Sequence, residues 1–168
     1  SRTGLITEYM SDEWLEDVKF AAVKLHENGM EAYLYDEDRW PSGTCGGYVT
    51  KERQFQAKYM IYREVTSDYE KPENFLGLFA VRFAGDSVEK YRAISSLSEK
   101  QSGERVFVFY YDYMQADSFY NGYTYADTMN KAATERFLAL THEKYYKAFG
   151  ELFGNVIKGI FTDEPHRN

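Results

Sequence analysis

Two segments near opposite ends of the chain share one plan, and that plan restricts the fold more than any other feature. Ser11-Asp12-Glu13-Trp14 opens an amphipathic stretch with Trp14, Val18, Ala21, Ala22 and Leu25 at helical spacing, which Gly29 is placed to end. The run Met30-Glu31-Ala32-Tyr33-Leu34-Tyr35 comes next and closes in Asp36-Glu37-Asp38. Later, Asp127 or Asn130 can cap a long helix with Phe137, Leu140, Tyr145, Ala148 and Leu152 as its buried stripe. Gly154 stops that helix, and Val156 to Phe161 runs into Thr162-Asp163-Glu164-Pro165. A capped helix, a glycine, a strand and acids make half of a βαβ unit, and such units set their strands parallel. Parallel strands are covered by helices on both faces or closed into a barrel.

The stretch between has another texture. Tyr48 to Lys58 is polar enough for a surface helix, and then come apolar or aromatic runs at 59–62, 75–83, 89–94 and 105–113. Ala84-Gly85-Asp86 and Gln101-Ser102-Gly103-Glu104 read as hairpin turns, so these runs should pair antiparallel. The layout expected is α/β: first units over 1–58, an antiparallel β-rich insertion over 59–115, and a return to helix and strand over 116–168.

Composition narrows the partners. A net charge of −7 argues against nucleic acid, which calls for a basic face. No apolar run approaches the roughly 20 residues of a membrane span. Cys45 is the single cysteine, so no intrachain disulfide forms, which fits a reducing compartment. Ser1-Arg2-Thr3-Gly4 lacks the anatomy of a signal peptide. The localisation stays open.

In α/β proteins the carboxyl ends of strands line the functional face. Asp36, Glu37 and Asp38 stand at one such end, and Asp163 and Glu164 at the other. Clustered carboxylates raise each other's pKa, and hydrolysis of a glycosidic bond needs one carboxyl group as acid and another as base or nucleophile. The plainer alternative is that these acids are solvated or paired with Arg39 and Arg167. Trp40 is a stacking platform for a sugar ring or a ring packed under its own loop. Pro41-Ser42-Gly43-Thr44-Cys45-Gly46-Gly47 lacks the Lys-Ser/Thr ending of a phosphate loop, and reads as a tight turn that sets Ser42 near the cleft. His166 can bind substrate or orient Glu164, whereas His142 and His26 read as structural. Oxygen-rich acids suit calcium, but there is no EF-hand loop and no paired His.

The block Tyr35-Asp36-Glu37-Asp38-Arg39-Trp40-Pro41-Ser42-Gly43-Thr44-Cys45-Gly46-Gly47, with Gly159-Ile160-Phe161-Thr162-Asp163-Glu164-Pro165, resembles large bacterial glycoside hydrolases of the α-L-rhamnosidase type (family 106 and its relatives). Tyr120 to Tyr125 and Phe137 to Tyr146 are similar to it as well. The resemblance implies a partial (β/α)8 TIM-barrel fragment with the β-rich insertion, within a longer chain. It implies Glu164 as acid/base, with Asp163 beside it where the wider barrel glycosidases have Asn, as catalytic residues; the residue chemistry adds Asp36, Glu37, Trp40, Ser42 and His166 as substrate-binding residues. It implies a carbohydrate substrate and a role for calcium. A piece of a barrel should expose edges and self-associate, and should be inactive alone. A non-catalytic carbohydrate-binding module and a structural interaction domain are the competing readings.

Overall fold

The computed structural model describes residues 6–67 and 69–166, so Arg167 and the expectation attached to it lie outside the described residues. The chain divides into two compact bodies, Ser1–Ala57 with Met114–Asn168, and Lys58–Tyr113.

In the first body, helix α1 (Asp12–Glu27) starts where the Ser11 side chain accepts the Trp14 N–H at 3.1 Å, with Asp12 and Glu13 in the first turn against the helix dipole. Gly29, at φ +72°, ends it, and strand β1 (Ala32–Tyr35) comes next. Far along the chain, α2 (Lys131–Leu140) and α3 (His142–Phe149) lead to β6 (Ile157–Phe161). β1 and β6 pair in parallel, Tyr33 opposite Gly159 and Tyr35 opposite Phe161. Ala32, Leu34 and Ile157 bury one face of this pair in a core with Leu15, Val49, Tyr145 and Phe149.

The second body is one antiparallel sheet of β2 (Lys58–Val65), β3 (Phe75–Ala84), β4 (Ser87–Ile94) and β5 (Arg105–Tyr113), in the order β2-β5-β3-β4. Val65, Leu78, Ala80, Ile94, Val106 and Val108 form its core. The turn at Gly85 is a hairpin, but residues 95–104 are not: β5 crosses over β3 and settles between β2 and β3.

These findings overturn the barrel. A (β/α)8 fragment needs successive strand–helix units, and among the described residues β1 and β6 are the only strands that pair in parallel, with no α-helix between β1 and β2. The fold is mixed α/β, with a two-stranded parallel and a four-stranded antiparallel sheet. The helix expected over 48–58 is a series of turns with one 3-10 turn, Arg53–Phe55. Its backbone is committed elsewhere: the Ala57 N–H donates to Tyr125 O at 2.9 Å, and Phe55 O accepts the Asp127 N–H at 2.8 Å. The single long helix is two, because Thr141 leaves helical geometry at ψ −82°.

Candidate functional site

Three consecutive acids leave β1, and all three are buried. Burying a carboxylate is costly unless donors surround it. Glu37 finds them in the adjoining loop. Its Oε2 accepts the N–H groups of Gly43, Thr44 and Cys45 at 3.1, 2.7 and 2.8 Å and the Thr44 hydroxyl at 3.1 Å. Its Oε1 accepts the N–H of Asp38 at 2.8 Å and of Gly46 at 2.5 Å. Burial pushes this carboxyl above its usual range, and the N–H groups of Gly46, Asp38, Thr44 and Cys45 pull it back. The loop can curl this tightly because Gly46 and Gly47 hold φ +63° and +93°, and a Cβ on Gly47 would meet the Tyr123 ring at 2.7 Å.

Asp36 is fully buried too. The hydroxyls of Ser42 and Thr162 donate to its two oxygens at 2.6 Å each, and His142 Nε2 stands 3.6 Å from Oδ2. Asp38 Oδ2 accepts from Arg39 Nε at 3.1 Å and Asn121 Nδ2 at 3.2 Å. Ser42 joins the two strand ends. Its N–H donates to Asp163 O and its Oγ accepts the Asp163 N–H, both at 2.9 Å, while its carbonyl accepts the Tyr125 hydroxyl at 2.8 Å.

The end of β6 is open instead. Glu164 is exposed and sits at φ +43°, a left-handed conformation uncommon for a residue with a side chain. The Trp40 indole N–H donates to its Oε2 at 3.2 Å, and Trp40, 45% exposed, lies beyond β1 and precedes a cis bond to Pro41. Asp163 is half-buried and accepts the Tyr35 hydroxyl at 3.4 Å. Burial, with Asp163 and Glu37 nearby, pushes Tyr35 up to about 12, so it remains a neutral donor. His166 lies between rings: 4.6 Å and nearly parallel to Tyr125, and 6.1 Å from Trp40. Burial likewise holds the Tyr125 hydroxyl up to about 12. Beside this lies a cleft of about 470 Å³, with Ser42, Asp127, Phe137, His142, Thr162 and His166 in its lining.

The structure therefore brings Trp40, Ser42, Asp163, Glu164 and His166 together and places Asp36 and Glu37 beneath them, out of reach of solvent. Spacing alone does not single out Tyr125, Thr162 or His142 as site residues. All three belong to stretches similar to the hydrolase pattern, and that is the one signal that points to them. Both oxygens of Asp36 and of Glu37 already accept hydrogen bonds, and among the described residues no three His, Cys, Asp or Glu side chains are grouped to hold a metal. No family model, curated protein or solved structure matches the chain.

Proposed function

We propose that this chain is part of a glycoside hydrolase, with Glu164 as the acid that protonates the leaving glycosidic oxygen. One observation carries the reading. Of the acids just beyond the two parallel strands, Glu164 alone is exposed, in an unusual backbone conformation and with its side chain accepting from the half-exposed Trp40. Strained backbone collects at functional sites because the surrounding structure must enforce it. An aromatic face beside a carboxyl group suits a sugar, whose C–H surface stacks while its oxygen meets the acid. The Asp36 and Glu37 carboxylates support this wall from below. Hydrolysis takes two carboxyl groups. With Asp36, Glu37 and Asp38 buried and Asp163 engaged by Tyr35, the 168-residue chain alone binds sugar without turning it over.

The test uses the natural protein that carries this chain, acting on glycosides with leaving groups of graded acidity. Glu164→Gln lowers turnover of alkyl glycosides by about 10²–10⁴-fold, the worth of general acid catalysis. It lowers turnover of dinitrophenyl glycosides far less, because that phenolate departs without a proton. Equal turnover in variant and parent on the alkyl series removes Glu164 from the mechanism.

The burial of the β1 acids also favours a second reading, a non-catalytic carbohydrate-binding module. That reading requires sugar binding with no hydrolysis by the natural protein.

A further inference from the structure

His142 opens α3 and reads from its spacing as a structural residue, yet its surroundings are those of a reading head. The Thr141 hydroxyl donates to Phe137 O at 2.7 Å, so its oxygen is left to accept from His142 Nδ1 at 3.0 Å. That contact fixes the ring, and its partner Thr141 is itself buried. Nε2 then points toward Asp36 Oδ2, but at 3.6 Å it is too far for a hydrogen bond. The Phe137 ring packs against the imidazole at 5.9 Å, edge to face. With 28% of its side chain exposed, His142 lines the cleft of about 470 Å³.

The cleft is amphipathic. Phe137 and Pro165 supply apolar surface, and Thr134, Thr162, His142 and His166 supply polar groups. Its volume lies within the range of small-molecule pockets. Asp127 in the lining and Asp36 behind His142 disfavour an anion. A wholly apolar ligand leaves the imidazole without a partner. A pyranose fits both halves: a C–H face for the ring and the proline, and hydroxyls, one of which can donate to Nε2, the acceptor nitrogen once Nδ1–H donates to Thr141.

We propose that this cleft is a subsite for one neutral pyranose unit, and that His142 Nε2 selects it through a single sugar hydroxyl. Asp36 and Thr141 are positioning residues that aim the ring. The proposal rests on the glycoside hydrolase reading and names where its sugar sits. His166 links the two, lining the cleft while stacking toward Trp40 beside Glu164.

The experiment is a titration of the isotope-labelled 168-residue chain with D-glucose, D-galactose, D-mannose, D-xylose and L-rhamnose, monitored by NMR. One of these sugars shifts the His142 imidazole resonance and the Thr134 and Thr162 amides, with a Kd in the millimolar range. His142→Ala weakens that Kd by roughly tenfold, the worth of one hydrogen bond. His142→Gln, whose amide can reach the Nε2 position, restores most of the loss, which a merely structural histidine does not allow. Absence of shifts at His142 with every sugar, or equal affinity in His142→Ala, overturns the subsite even where Glu164 proves catalytic. Binding that depends on His142 in a natural protein that hydrolyses no glycoside upholds the subsite and defeats the hydrolase reading.

Discussion

The two parallel strands end in the same dipeptide chemistry and treat it in opposite ways. After β1, Glu37 is swallowed: five backbone N–H groups close on it and no part of it meets water. After β6, Glu164 is left exposed with the Trp40 indole N–H on one oxygen. The residues downstream of each acid make the difference. Glu37 precedes a loop with glycines at 43, 46 and 47, all at positive φ, so the chain can turn its amides inward. Glu164 precedes Pro165, which has no N–H to offer and a fixed φ. A carboxylate at a strand end becomes a structural anchor or a surface group according to whether the next residues can wrap it.

Substituting both glutamates tests this contrast most directly. Glu37→Gln places an amide NH₂ against buried N–H donors, and leaving two or more of them unpaired costs roughly 3 kcal/mol or more. Glu164→Gln changes an exposed group and shifts stability by about 0.5 kcal/mol or less. Chemical denaturation of the two variants separates them. Equal losses would erase the distinction between anchor and surface acid.

Alkaline titration gives a smaller effect. Tyr35 is pushed up to about 12 chiefly by burial, as is Tyr125, and Tyr48 reaches about 12 chiefly through its hydrogen bond to Glu8. An unfolded tyrosine ionises near pH 10. The folded state therefore keeps protons that the unfolded state loses, so stability is unaffected below about pH 9 and declines as pH rises toward 12. Tyrosinate absorbance should show a late-titrating group that Tyr35→Phe removes. A Tyr35 that ionises with the exposed tyrosines would contradict its donor role toward Asp163.

Much of the local structure is written in short-range signals. Ser11, the acids after it and Gly29 mark α1, and alternating aromatics mark β5. Partner choice is absent from the local pattern. Residues 48–58 have a helix's polarity, but their backbone groups bond to residues 114, 125 and 127, and nothing in the stretch itself declares those partners. The barrel expectation fails for the same reason, since two helix–strand units do not reveal how many strands lie beside them. At the site, the acids and Trp40 are recognisable by type. Their burial is not, because it depends on an amide cradle six to nine residues downstream. The closeness of His142 to Asp36 cannot be read from local spacing, because Asp36 lies on a different element altogether.

The pairing of β1 with β6 also dictates an order of events as the chain folds. The Glu37 cradle closes within ten residues, and the second body lies wholly within Lys58–Tyr113. β1, by contrast, has β6 as its strand partner and waits until the polypeptide has been made past Phe161. Loop-closure entropy makes such distant pairing the slow step. Pulse-labelled hydrogen exchange should find the amides of β2 to β5 protected before those of β1, and simultaneous protection would count against this sequence. The face that carries Trp40 and Glu164 is thus assembled after the second body, and its chemistry is withheld until the polypeptide has passed Phe161.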